Sequence, residues 1–178
     1  MILRRLSLGA LIALATLAQG PAPAEVTACF SPGPTSCAEV IGDAIDRARS
    51  SIRLQAYWLT SPPILRALAQ AKRRGVDVRA ILDKTQDRHG DPRGHYSGAV
   101  YLAHAGVPVW IDDLPAVAHS KVLILDGATV VTGSFNFTKS ADTRNAENVV
   151  LLESREVASW FTRNWEERRE ASRVFETE

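Results

Sequence analysis

His119 and Lys121 stand two residues apart, Asp126 follows, and Gly133-Ser134-Phe135-Asn136 comes next. Written as a pattern this is H-x-K-x₄-D-x₆-G-S-x-N, and the chain carries it once. Side chains alternate faces along a strand, so His119 and Lys121 project together, and Ser134 and Asn136 share a face by the same spacing. An imidazole, an ammonium, a hydroxyl and an amide then converge at one sheet edge. That set suits a phosphodiester. The imidazole is a nucleophile or a base. Lys121 offers a point charge to a phosphoryl oxygen. Ser134 and Asn136 donate hydrogen bonds to the oxygens that gain charge in the crowded transition state. Gly133 lets the backbone approach where a side chain would obstruct. Asp126 differs in parity from Lys121 and ends an apolar run, so it reads as a structural carboxylate that holds a turn. Glu147, in Asn145-Ala-Glu-Asn148, is the candidate for orienting the histidine, because a carboxylate fixes the tautomer of an imidazole and stabilises its cation.

The remaining polar residues carry weaker signals. Lys84, Arg88 and Arg93, with His89 and His95, mark a polar stretch from Asp83 onward as a possible substrate contact. His104 reads as a helix-surface residue. Tyr57 and Trp58 read as packing residues of a strand. No carboxylate cluster or histidine pair has metal-ligand spacing, so the expected chemistry uses no metal and no cofactor.

The elements that must position these groups follow from periodicity and caps. Ser36-Cys-Ala-Glu39 is a capping box, and Ile41, Ala44, Ile45 and Ala48 continue at helical spacing to near Ser50. Ile52–Leu59 reads as a strand. Ser61-Pro62 opens a second helix, closed by Lys72-Arg-Arg-Gly75. Val76–Leu82 is a strand, Ser97–Ala105 a helix and Val107–Ile111 a short strand. Ser120–Leu125 and Thr129–Thr132 flank Asp126-Gly127 as a hairpin. Asn148–Leu152 is a further strand. Ser154 caps a final helix that places Val157, Trp160 or Phe161, and Trp165 on one face. Helix-strand alternation followed by adjacent strands predicts an α/β sandwich: a mixed central sheet flanked by helices.

The chain has 178 residues and a net charge of +1. Arg4 and Arg5, the apolar run Leu6–Ala18 and the small-x-small Ala22-Pro-Ala24 make the three parts of a secretory signal peptide. The run is shorter than the roughly 20 residues that span a bilayer. Residues 1–24 are therefore expected to be removed, leaving residues 25–178 as one catalytic domain without a stable membrane anchor, periplasmic or secreted. Removing Met1–Ala24 takes away two arginines and no acid, so the charge falls from +1 to −1. A nucleic acid would then need a local basic surface. Cys29 and Cys37, an even count in an exported chain, predict a disulfide across a turn-rich loop.

The motif block, from His119-Ser-Lys-Val-Leu-Ile-Leu-Asp126 through Thr132-Gly-Ser-Phe-Asn-Phe-Thr138 to Asn145-Ala-Glu-Asn-Val149, resembles the small, single-motif Nuc-type bacterial endonucleases of the phospholipase D superfamily. Gln55-Ala-Tyr57, Thr60-Ser-Pro62 and Leu82-Asp-Lys84 share that likeness. The resemblance implies the phospholipase D-like fold, an exported, metal-independent homodimer, His119 as the nucleophile of a phosphohistidine, and Lys121, Ser134 and Asn136 holding phosphate. DNA, or RNA, is the implied substrate. A lipid phosphodiesterase is the competing reading, and a non-enzymatic nucleic-acid-binding module is the third. Physical chemistry adds an argument of its own. Cleavage through a covalent intermediate needs a nucleophile and a general acid. One motif supplies one histidine, so two chains about a two-fold axis would bring both to a shared site.

Overall fold

A computed structural model of the chain describes residues 24–87 and 97–176. The expected leader, apart from its last residue, and Arg88, His89, Arg93 and His95 lie outside the described residues. In chain order the elements are β1 (Glu25–Ser31), α1 (Cys37–Arg47), β2 (Ser51–Ala56), α2 (Pro62–Arg73), β3 (Asp77–Asp83), a 3₁₀ turn (Lys84–Gln86), α3 (Gly98–His104), β4 (Val109–Asp112), β5 (Lys121–Leu125), β6 (Thr129–Gly133), α4 (Lys139–Thr143), β7 (Glu147–Glu153), α5 (Arg155–Glu170) and β8 (Arg173–Val174). They build an eight-stranded sheet in the order β1-β7-β6-β5-β2-β3-β4-β8. β2, β3 and β4 run parallel, and every other pairing is antiparallel. The mixed sheet flanked by helices is the expected one.

The sheet's two faces follow from strand parity. On β2, Ile52, Leu54 and Ala56 join the main core with Ile41 and Ile45 of α1, Leu65 and Leu68 of α2 and Leu102 of α3. Arg53 and Gln55 alternate to the other face. There α5 packs, with Ala158 and Trp165 against Ile81, Val122, Ile124 and Val130. Trp165 is fully buried and its Nε1 donates to Leu54 O at 2.9 Å. Phe161 packs against this second cluster, whereas Trp160 is exposed. Burying about 25 cal/mol per Å² of apolar surface on both faces is what secures the sheet.

Capping residues act where the sequence places them. Ser36 and Ser154 each accept a hydrogen bond from the third residue of their helix, Glu39 and Val157. Pro62 begins α2, and Gly75, past its end, has φ 91°. Cys29 and Cys37 are joined in a disulfide that ties β1 to the start of α1. Three elements were not anticipated: β1, α4 and β8. β1 buries only Cys29 and Ser31, so its composition lacks the alternation that marks a strand. β2 ends at Ala56, earlier than the sequence suggests, because beyond Tyr57 the backbone N–H groups of Thr60 and Ser61 turn to Phe137 O.

Asp126 closes the β5–β6 turn, where it and Gly127 have φ 54° and 59° and Ala128 N donates to Leu125 O at 3.0 Å. Its carboxylate also accepts from Arg49 N, Ser50 N, Ser50 Oγ and Ser51 N at 2.7–2.9 Å, which fastens the hairpin to the α1–β2 junction. Burial alone would raise this carboxyl, but the N–H groups of Ser51, Ser50 and Arg49 and the Ser50 hydroxyl outweigh it and hold it below 3.8. A depressed carboxyl gives stability that is complete above the unfolded value and fades as pH falls through the folded one. We expect Asp126→Ala to cost about 2–3 kcal/mol at neutral pH. The gap between the two proteins in urea unfolding should stay constant down to about pH 5 and narrow below about pH 4. A gap that widened in acid would refute this role.

Candidate active site

The site is assembled by the register of β5. Lys121 lies opposite Ala56 of β2, and Val122 lies opposite Thr132 of β6. Tyr57 N donates to Ser120 O at 3.0 Å, which carries the β2 pairing one step toward His119. Gly133 of β6 pairs with Val149, and Glu147 at the start of β7 pairs with Ser31 at the end of β1. The ends of five adjacent strands therefore meet at one edge of the sheet. Gly133 is required there. Its φ is 155°, and a Cβ would stand 2.2 Å from Asn148 O.

Two phenylalanines aim the polar half of the motif. Phe135 and Phe137 are buried in the main core. Phe137 N donates to Trp58 O at 3.1 Å, and Phe137 O accepts from Thr60 N at 2.9 Å and Ser61 N at 2.8 Å. With alternate residues anchored inward, Ser134 and Asn136 are left to the other side. Ser134 is exposed and Asn136 half-buried. The Asn136 Oδ1 atom is buried with no hydrogen-bond partner. An unpaired buried acceptor is costly, and functional sites are where such costs persist.

His119 is exposed and lies one residue from the first β5 pairing. Its ring stands 4.7 Å from that of Tyr57, tilted by 57°. Lys121 is 8% exposed, and its Nζ donates to His119 O at 2.9 Å and lies 5.5 Å from the Tyr57 ring centre. Burial lowers the lysine's pKa from its ordinary 10.5, and the Glu147 charge opposes that shift. The expected bond from Glu147 to the imidazole is not formed. Glu147 accepts instead from Ser134 Oγ at 2.5 Å and Asn145 Nδ2 at 3.1 Å. Its carboxylate has been taken by the hydroxyl that its pairing position places beside it.

The other named residues separate clearly. Asp126 follows the last residue of β5, five residues from Lys121 and about 17 Å away along the strand, outside the site. Lys84 donates to Pro115 O at 3.1 Å, so it fastens the segment leading to His119. Arg88 and Arg93 lie outside the described residues. Two positioning residues escaped sequence reading. Asp83, 1% exposed, accepts from Ala118 N at 2.7 Å and Thr85 N at 2.9 Å, pinning the residue before His119. Tyr57 flanks the imidazole. Only the β2–β3 and β2–β5 pairings bring these residues near position 119, and no local pattern encodes those pairings. Among the described residues no group of three acids, histidines or cysteines is arranged to hold a metal ion.

The buried ammonium generates a prediction. A lysine whose folded pKa is lowered costs stability at every pH below that value, and the cost is relieved as pH rises toward 10.5. Lys121→Met should therefore unfold at equal or higher denaturant concentration than wild type at pH 7, with a smaller difference near pH 10, while losing phosphodiester cleavage. Reduced stability at pH 7 would mean that the ammonium is compensated inside the fold.

Comparison with known proteins agrees with this geometry. A family described as cardiolipin synthase, PLD-like domain, matches residues 41–169, a span that contains every motif residue. Phospholipase D of Rickettsia felis is 44% identical over 141 residues, 79% of this chain and 68% of that protein. Mitochondrial cardiolipin hydrolase of Xenopus tropicalis is 33% identical over 133 residues, 72% of this chain and 61% of that protein. The crystal structure of a phospholipase D family member, Nuc from Salmonella typhimurium, superposes with a TM-score of 0.77 at 36% identity, covering 87% of this chain and 100% of that one. A single histidine-lysine motif held at the sheet edge, in a chain with these relatives, makes this protein a member of the phospholipase D superfamily of phosphodiesterases.

Proposed function

We propose that the protein is an exported endonuclease that cleaves DNA, or RNA, through a phosphohistidine without a metal. His119 attacks phosphorus and forms an N–P bond as the bond to the leaving nucleotide oxygen breaks. An imidazolium, from His119 of the partner subunit, gives that oxygen its proton. Water then attacks the phosphohistidine, the second imidazole takes a proton from it, and the N–P bond breaks to free His119 and a phosphate monoester. Lys121, Ser134 and Asn136 bear the charge on the phosphoryl oxygens. Glu147 acts through Ser134, whose hydroxyl it holds.

The observation that carries the nucleic-acid reading is the cationic segment between the site strands. The chain leaves the site at Asn136 and returns at Glu147. In between, Lys139 and Arg144 are exposed and have no carboxylate partner among the described residues. Each lies three residues from a motif position, hence within about 11 Å of it along the chain. A polymer with a phosphate at every step uses such charges, whereas a lipid with one scissile phosphate has less need of them. The resemblance to Nuc-type endonucleases and the likeness to Nuc over that chain's whole length support the same reading. A lipid substrate is the second reading, favoured by relatives that are named phospholipase D and cardiolipin hydrolase. The Cys29–Cys37 disulfide supports export after cleavage at Ala24. Phe30 and Leu114 expose large apolar surface on the segments flanking the motif, which supports a covering second copy.

The deciding experiment offers plasmid DNA and phosphatidylcholine vesicles to the mature protein in excess EDTA. DNA cleavage is expected, and so is its abolition in His119→Ala, with His104→Ala mild. Restoration of cleavage only by added Mg²⁺ would refute the metal-free mechanism. Cleavage of vesicles alone would transfer the assignment to the lipid reading. Mixing wild-type chains with excess His119→Ala chains under exchange conditions should reduce activity below the share of wild-type chains, because one heterodimer holds one intact histidine. Activity proportional to wild-type chains would show that each subunit works alone.

A further inference from the structure

Gln55 is 7% exposed and projects from β2 on the α5 side of the sheet. Its carboxamide forms no hydrogen bond among the described residues, yet it is not sealed from solvent. It opens on a cavity of about 210 Å³, reached also by His119, Ser120, Asn164, Ile81 and Val117. The side chains of Ser120 and Asn164 are likewise without hydrogen bonds among the described residues. The ionised groups of the same wall are already committed. Asp112 is held by Arg168, and Asp83 by Thr85 N and Ala118 N. Among the described residues, the groups of this wall that make no side-chain hydrogen bond are the carboxamides of Gln55 and Asn164, the Ser120 hydroxyl and the His119 imidazole.

We propose that this cavity is a nucleobase subsite, receiving the base of a nucleotide next to the scissile phosphate; the proposal rests on the nucleic-acid reading above. The cavity, about 210 Å³ and open to solvent on one side, has room for a planar heterocycle. A carboxamide presents a donor and an acceptor in one plane, which is what a base edge pairs with. Ile81 and Val117 offer apolar contact to the ring. A second phosphate is disfavoured, because Asp83 and Asp112 outnumber Arg168 on the wall. A cationic lipid headgroup is less suited, since each carboxylate oxygen of the wall already accepts a hydrogen bond from the protein. His119 borders the cavity, so a seated base would set the position of the attached phosphodiester relative to the nucleophile. Gln55 thereby becomes a substrate-positioning residue, and a source of base preference.

The test uses the mature protein and a single-stranded oligonucleotide in which one abasic residue is walked along the positions flanking the cut. Bis(p-nitrophenyl) phosphate serves as a baseless diester. An abasic residue at one flanking position should slow wild type by about ten- to a hundredfold. Gln55→Leu should lose about as much kcat/KM on the intact oligonucleotide relative to the small diester, and should no longer sense the abasic residue. Asn164→Ala, at an exposed position of α5 that the fold does not depend on, should show a smaller loss of the same kind. Wild type indifferent to an abasic residue at every position, or Gln55→Leu losing both substrates equally, would overturn the subsite while leaving the endonuclease assignment intact. Wild type inert on oligonucleotides but active on phosphatidylcholine vesicles would overturn the assignment and the subsite together.

Discussion

The placement of β5 between β2 and β6 is the constraint on which the site depends. With Lys121 opposite Ala56 and Val122 opposite Thr132, every odd residue of β5 faces the helix layer of α1 to α3, and every even one faces α5. A slip of one residue would exchange those faces. Lys121 would leave the site edge and Leu123 would leave the main core. The same register sets Tyr57 beside His119, while the neighbouring β6–β7 pairing brings Gly133 against Asn148. Hydrophobic burial thus helps to fix the geometry of the candidate site, because a one-residue slip cannot keep Leu123 in the core and Lys121 at the site edge.

The two ends of β5 divide the labour between stability and chemistry. At one end Asp126 gathers backbone donors from the α1–β2 junction and locks the hairpin. At the other, Lys121 is buried against its own chain's carbonyl and is only partly balanced by Glu147. One carboxylate has its charge matched inside the fold. The ammonium does not, which is the electrostatic situation an anionic ligand would relieve. The orphaned Asn136 acceptor belongs to the same pattern of local cost held in place by surrounding packing.

The packing that holds this edge comes from distant segments. Phe135 and Phe137 sink into the core, and the backbone of Trp58, Thr60 and Ser61 clasps Phe137. Asp83 holds Ala118, and Lys84 holds Pro115, so the approach to His119 is fastened from the end of β3. Rigidity around His119 is therefore spread over residues of several distant segments. Catalysis by orientation needs that kind of support, because small misplacements of a reacting group are expensive.

The sequence alone determined which residues are candidates for the chemistry of the site, because chemistry resides in side-chain identity at short spacing. His119, Lys121, Ser134 and Asn136 sit close enough in the chain for strand parity to say which share a face. Helices with caps, such as α1 and α2, and the Asp126-Gly127 turn were legible for the same local reason. Tertiary structure alone decided which strands are neighbours. It paired β1 with β7, gave Glu147 to Ser134 and not to His119, put Tyr57 beside the His119 ring and Gln55 on the wall of a cavity that His119 borders, and turned Trp160 out while Phe161 turned in. Apart from Ser134 and Glu147, which are 13 residues apart, those outcomes rest on contacts between distant segments, set by burial of whole faces. Local spacing does not encode which strands become neighbours, so it could not reveal them.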